Sequence, residues 1–127
     1  MKRIALLSIH PQYAYAILNG NKTAEFRKRM ILDSSVSEIF LYATFPEKKI
    51  IGSFQLGKQI KLPPDELWKR FQKIGGIDRE SFFQYYLGSQ EGVAIQVLNP
   101  VRFKKSLLLK DFNLELPPQS FQYITLK

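Results

Sequence analysis

Runs and alternations of apolar residues divide the chain into short strands and a few short helices. Apolar runs that are rich in β-branched residues and end at turn residues are typical of strands, whereas apolar positions three and four apart are typical of helices. The runs predict strands over 2–9, 23–29, 38–44, 49–62 and 92–98, with shorter pieces at 101–103 and 107–109. Gly52 and Gly57 are expected to bend or bulge the long fourth strand.

Three segments have helical spacing. The first begins at Pro11 and ends at Asn19–Gly20, a common start and stop for a helix. The second begins at Pro63–Pro64 and ends at Gly75–Gly76, and Asp78 is expected to cap the third. The last two form a helical pair inserted before the final strands.

These elements predict an α+β fold with five to six mainly antiparallel strands, flanking helices and a helical-pair insert. Glycine bends in a long strand suit a small, curved β-barrel. Residues 110–114 predict one helical turn, and 117–123 a tight terminal segment. At 127 residues the chain is expected to be a single domain over 1–127.

The composition indicates which kinds of site and which membrane features to expect. With no cysteine and one histidine, we expect no disulfides, no metal site and no cofactor. No apolar run approaches the roughly 20 residues of a membrane span, and the start does not resemble a signal peptide. We therefore expect a cytoplasmic protein with no membrane partner.

The net charge of +8 is unevenly distributed. The first 30 residues hold six basic residues and one acid, and residues 92–110 hold four basic residues and none. If the fold joins these segments, they form a basic face that attracts phosphates. A solvated surface that aids solubility is the alternative.

Charges of both signs cluster beside the turn at Gly20. Lys22, Glu25 and Arg27 follow it within the stretch GNKTAEFR. Clustered charges near a core must be solvated or paired, so they indicate a functional site. The structural alternative is an ion pair of Glu25 with a neighbouring cation, worth ~0–1 kcal/mol where it is exposed.

The stretch GNKTAEFR resembles the G-x-K-x-x-E-x-R motif of ASCH domains, which belong to the PUA-like superfamily. Further fragments in order extend the resemblance over nearly the whole chain: LLSIHPQYAYAIL, EIFLYAT, IIGSF, DELW and PPQSFQYI. The resemblance implies a PUA-like β-barrel with a cleft lined by the motif. Family members are expected to bind RNA or nucleotides, and some are reported as ribonucleases or acylcytidine hydrolases.

Our first hypothesis is an RNA- or nucleotide-binding module with a basic cleft. The alternative is a metal-independent hydrolase of RNA or a modified nucleoside, with Lys22 and Glu25 as candidate catalytic residues. In the acylcytidine amidohydrolases that this family resembles, the lysine position is Lys22. Glu25 stands where their catalytic threonine would be, which argues against that activity. A protein-interaction domain is a third hypothesis.

Nine residues are candidate ligand contacts. His10 can stack on a base or shuttle a proton, although a lone histidine is more often a cap. Tyr42 and Phe45 can stack a base, although core packing is the commoner role. The nine candidates are His10, Lys22, Glu25, Arg27, Tyr42, Thr44, Arg102, Lys104 and Lys105.

Overall fold

The computed structural model describes every residue from Met1 to Lys127 and contains six strands and three α-helices. The strands are β1 (Lys2–Ile9), β2 (Ala24–Arg27), β3 (Glu38–Ala43), β4 (Lys49–Leu62), β5 (Gly92–Leu107) and β6 (Phe121–Leu126). The helices are α1 (Pro11–Leu18), α2 (Pro64–Phe71) and α3 (Arg79–Tyr85), and a 3-10 helix spans Leu109–Phe112.

The strands form one mixed sheet in the order β2-β5-β4-β3-β1-β6. Only β1 and β3 are parallel, and every other neighbouring pair is antiparallel. The α+β class and the mainly antiparallel sheet are confirmed. Because β1 and β3 run in the same direction, their carboxyl ends meet at one edge of the sheet.

The sheet is not closed into a barrel, unlike the sequence expectation. β2 and β6 lie at opposite ends of the strand order and do not pair with each other. A side-chain hydrogen bond links the two ends: Nη2 of Arg27 in β2 donates to Oγ of Ser120, the residue before β6, at 2.8 Å. β2 has only four residues, all used in pairing with β5, so it offers little backbone for closure.

The bends expected in β4 are present. Its register against neighbouring strands shifts between Ile50 and Gly52 and again between Leu56 and Gln59, on either side of Gly57. A Cβ atom on Gly52 would lie 2.5 Å from the carbonyl oxygen of Val101, so the two strands approach too closely there for any side chain. These shifts curve the sheet and bring its two edges towards each other.

Alternation along β1 divides its side chains between two clusters. Ala5, Leu7 and Ile9 belong to the main core, which α1 covers with Ala14 and Ile17. Side chains of the opposite face, with Phe103 and Phe112 packed against them, form a second cluster: Ile4, Leu6, Phe40, Tyr42 and Ile50.

A third cluster attaches α2 and α3 to the β2 edge. Its buried members are Phe26, Leu67, Phe82, Tyr86 and Ala94. Phe82 is central, since its ring centroid lies 4.8 Å from that of Phe26 and 4.9 Å from that of Tyr86. As predicted, Asp78 caps α3 by accepting a hydrogen bond from the Ser81 amide at 3.1 Å.

Two expectations for the end of the chain are wrong. β5 is one strand of 16 residues rather than three pieces, because bulges absorb its apparent breaks. The terminal segment contains β6, which pairs with β1 from Leu126 opposite Lys2 to Phe121 opposite Leu7. The prolines at 117 and 118 predict a turn and stand just before this strand, so the sequence pattern did not reveal it.

Candidate functional site

A cleft of about 1150 Å³ lies at the carboxyl ends of β1 and β3. Ser8 and His10 reach it from β1 and the residue after it, and Thr44 reaches it from the end of β3. Residues of α3 form another wall, and β2 contributes Glu25 and Arg27. The cleft therefore lies where the open sheet meets the helical insert.

Three buried charged side chains, which we call the charged floor, line the base of the cleft. Lys22 is 2%, Glu25 4% and Arg27 8% exposed. Nζ of Lys22 lies 3.3 Å from Oε1 of Glu25, and Nη1 of Arg27 lies 3.2 Å from Oε2 of the same carboxylate. One carboxylate thus bridges two cations, and the floor carries one net positive charge.

Lys22 also ties the floor to the helical insert. Its ammonium donates a hydrogen bond to the carbonyl of Gly75 in the turn after α2. The ammonium also lies 5.4 Å from the ring centroid of Tyr13 and 5.3 Å from that of Phe26. Its donors are therefore engaged within the protein, and Lys22 positions the cleft walls as much as it lines them.

Burial lowers the pKa of Lys22 from its usual value. Desolvation is the main cause, and the neighbouring Glu25 opposes it by favouring the charged form. A lowered pKa makes the ammonium lose its proton more readily than that of an exposed lysine, which suits acid–base chemistry.

Arg27 holds the two edges of the sheet together at the cleft. Its Nη1 donates to the carbonyl of Ser8 at 3.3 Å, and its Nη2 donates to Oγ of Ser120. Its Nε is buried without a hydrogen-bond partner. The Arg27 backbone carbonyl accepts a hydrogen bond from the Tyr86 hydroxyl at 2.8 Å, so both the side chain and the backbone of Arg27 are held in place.

The wall from α3 is acidic, contrary to the basic cleft that the net charge suggested. Asp78 and Glu80 line the cleft, so that it contains three carboxylates and two cations. Both of these side chains are exposed. The cleft therefore combines a positive floor with a negative outer wall, and it suits a ligand that carries an anionic group and hydrogen-bond donors.

Aromatic side chains also line the cleft. His10 and Tyr13 form an edge-on pair with ring centroids 6.0 Å apart, and Tyr85 lines the cleft from α3. His10 is exposed, and the two tyrosines are partly buried. The cleft thus offers flat apolar surfaces of the kind on which nucleic-acid bases stack.

The structure brings five of the nine predicted residues to the cleft and leaves four elsewhere. His10, Lys22, Glu25, Arg27 and Thr44 line it. Tyr42 does not, because it alternates into the second cluster and is 3% exposed.

The basic residues of β5 also lie away from the cleft. β2 pairs with β5 at Val93–Gln96, whereas Arg102, Lys104 and Lys105 come six or more residues later. That separation corresponds to roughly 20 Å or more of extended strand. Arg102 packs over the ring of Tyr15 on α1, at 5.1 Å from the ring centroid. The two basic segments therefore do not combine in this cleft.

Sequence reasoning missed the cleft residues that α3 supplies. Ser81, Gln84 and Tyr85 line the cleft beside Asp78. The available signal was the polar side of α3, which an isolated surface helix also shows. Its position over the charged floor depends on the docking of Phe82, which no local pattern reveals.

We expect Tyr86→Phe to lower stability at neutral pH by about 1 kcal/mol, because a buried hydrogen bond to Arg27 is lost. Burial raises the pKa of Tyr86 above its ordinary value of 10.0. The unfolded state therefore releases this proton first, and wild-type stability falls as the pH rises above about 10. Urea unfolding at neutral and alkaline pH should show a weaker alkaline loss in Tyr86→Phe. Equal pH slopes in the two proteins would contradict this.

Two further observations concern metals and membranes. No group of three or more histidine, cysteine, aspartate or glutamate side chains is arranged to hold a metal ion. The α-helices have seven or eight residues, and none is long and apolar enough to cross a bilayer.

Fold and site define a small α+β protein with a ligand-sized cleft at an open sheet edge. An ASCH domain-containing ribonuclease of Zymomonas mobilis is 29% identical over 129 residues, which cover 97% of this chain and 85% of the relative. The crystal structure of ASCH from Zymomonas mobilis aligns with a TM-score of 0.87 at 28% identity, covering 96% of this chain and 87% of that chain.

A serine-to-alanine variant of the same Zymomonas protein aligns with a TM-score of 0.88 at 28% identity, covering 96% of this chain and 88% of that chain. No family model matches the chain. These similarities in sequence and fold support the ASCH domain family, as the G-x-K-x-x-E-x-R stretch predicted.

Proposed function

We propose that the cleft binds a single strand of RNA. The observation that carries this proposal is the charged floor, with its single net positive charge, beneath a wall of aromatic and polar side chains. The floor attracts one phosphate, and the rings of His10, Tyr13 and Tyr85 offer surfaces for a base. The similarity to a protein described as a ribonuclease supports RNA as the ligand.

The acidic wall favours recognition of a base over recognition of a run of phosphates. Asp78 and Glu80 repel a continuous phosphate track, and their oxygens accept hydrogen bonds from exocyclic amines of bases. A duplex presents its phosphates outwards and hides its base edges. We therefore infer that the cleft receives an unpaired nucleotide with its base exposed.

The accessible cleft residues provide the test. Replacing His10 or Gln84 by alanine should weaken binding of a short labelled single-stranded RNA, about fivefold or more for the ring and several-fold for the amide. Both side chains are exposed, so the variants should fold. Gln72→Ala is the matched control, since Gln72 is exposed at the end of α2 and does not line the cleft. Fluorescence anisotropy gives the Kd values.

Salt dependence gives a second measurement on the same samples. A floor that neutralises one phosphate should contribute about −0.7 to the slope of log K against log salt, and each further phosphate contact should add a similar amount. Absent RNA binding, or binding that is equally strong in His10→Ala and wild type, would overturn the proposal.

RNA cleavage is a second candidate function, favoured by the relative's description and by the lowered pKa of Lys22. In this reaction the 2′-hydroxyl attacks the adjacent phosphorus, and the bond to the 5′ oxygen breaks. A base removes the 2′-hydroxyl proton, and an acid supplies one to the leaving oxygen. The products are a 2′,3′-cyclic phosphate and a 5′-hydroxyl. His10 is exposed and accessible for proton transfer, and Lys22 belongs to the charged floor.

A substrate with a single 2′-deoxy position tests attack by the 2′-hydroxyl, and an identically purified variant controls for contaminating nuclease. Wild type should cleave the all-RNA strand and leave the bond after the 2′-deoxy nucleotide intact, and His10→Ala purified identically should lose activity. Repeating the reaction with chelator tests whether a metal ion takes part. Cleavage that is equal in wild type and His10→Ala would exclude this role for the cleft.

A further inference from the structure

Phe45 is the most exposed aromatic side chain beside the cleft. It is 79% exposed at the turn between β3 and β4, although a phenylalanine normally packs into a core. Thr44, the residue before it, lines the cleft. An isolated exposed apolar residue needs no explanation, but one that directly follows a cleft-lining residue in the chain is placed to contact the ligand.

Hydrogen bonds hold this turn in place. The amide of Thr44 donates to the carbonyl of Ile9 at 3.0 Å, which fixes the turn to the end of β1 next to His10. The amide of Glu47 donates to the carbonyl of Thr44 at 3.1 Å and closes the turn. The ring of Phe45 is therefore presented at a defined position beside the cleft, and little order has to be gained on binding.

Positive charge flanks the ring. Lys48 follows the turn and Lys49 begins β4, and both are exposed and form no ion pair with a carboxylate. Glu47, which precedes the lysines in the chain, is partly buried. An aromatic ring next to unpaired lysines is the combination that binds single-stranded nucleic acid, because the ring stacks a base and the lysines attract the phosphates around it.

We propose that Phe45 stacks the base of a nucleotide that adjoins the one held in the cleft. This rests on the function proposed above and extends it from a single-nucleotide site to a site for at least two consecutive nucleotides. The neighbouring strand leaves the cleft past Thr44, and its phosphates pass Lys48 and Lys49. Tyr42 cannot take this role, because it is buried in the second cluster.

Replacing Phe45 tests the proposal. Phe45→Ala should weaken binding of a short single-stranded RNA by roughly 5- to 150-fold, the range for removal of one stacked base. Phe45→Trp should retain or improve it. The side chain is exposed, so neither change disturbs the core. Leu116→Ala is the matched control, since Leu116 is 78% exposed, is apolar and does not line the cleft.

A fluorescent base analogue identifies the contact. RNA that carries 2-aminopurine next to the bound nucleotide should change its fluorescence on binding to wild type and Phe45→Trp, but not on binding to Phe45→Ala. Binding by Phe45→Ala equal to that by Leu116→Ala would overturn the stacking role. If His10→Ala weakens binding in the same series, only the stacking role fails, whereas loss of all RNA binding in wild type would overturn both proposals.

Discussion

Glu25→Gln is expected to lower the free energy of unfolding by about 3–5 kcal/mol, because it leaves two buried cations without their shared counter-ion. Lys22 and Arg27 approach the same carboxylate at 3.3 and 3.2 Å, and all three residues are buried. Glutamine keeps the shape of the side chain, so the loss reports on charge. Urea unfolding measured at neutral pH gives the value.

An exposed ion pair provides the control for this prediction. Glu91 pairs with Lys61 at 3.7 Å, and both side chains are more than half exposed. Glu91→Gln should therefore change stability by less than about 1 kcal/mol. A loss in Glu25→Gln as small as that in the control would show that the floor is solvated and does not hold the fold.

A second substitution distinguishes a structural from a catalytic role of Glu25. Adding Lys22→Met to Glu25→Gln removes one of the unpaired cations, and stability should partly recover. RNA cleavage should not recover if Glu25 or Lys22 transfers a proton. Recovery of both stability and cleavage would indicate that the pair only maintains the shape of the cleft.

Phe82→Ala is expected to destabilise the protein by about 3–5 kcal/mol, the usual cost of removing a buried aromatic ring. Phe82 is completely buried at the junction of α3 and the β2 edge. Its ring centroid lies within about 5 Å of those of Phe26, Trp68 and Tyr86. Because this cluster docks α3, the substitution should also loosen the acidic wall of the cleft.

Hydrogen exchange of the α3 amides tests that link. Exchange in α3 should accelerate more in Phe82→Ala than exchange in β1, which belongs to the main core. Phe83→Ala is the control, because Phe83 is only partly buried at the outer side of the cluster and should cost less. Equal losses in the two variants would show that Phe82 has no special role in docking.

The Glu25 prediction gives the G-x-K-x-x-E-x-R residues a role that the sequence alone did not suggest. Lys22, Glu25 and Arg27 were expected to project into a basic cleft. In the structure they are paired with one another and with backbone carbonyls, and they form its buried floor. Contact with a ligand then falls mainly to more accessible residues such as His10 and Gln84.

The local spacing of residues was sufficient to predict most of the strands and helices of this protein. The apolar runs predicted β1, β3 and β4, the Pro11 start predicted α1, and Asp78 predicted the cap of α3. The charged turn identified a place that lies in the cleft. These features depend on neighbours within a few residues, so the sequence determined them directly.

Tertiary structure decided which residues meet. The short β2 left the sheet open, and the docking of Phe82 placed two carboxylates in the cleft. The length and register of β5 kept its lysines away. Alternation along β3 buried Tyr42, while the turn that follows exposed Phe45. Each outcome depends on strand register and packing between distant segments, which local sequence patterns do not specify.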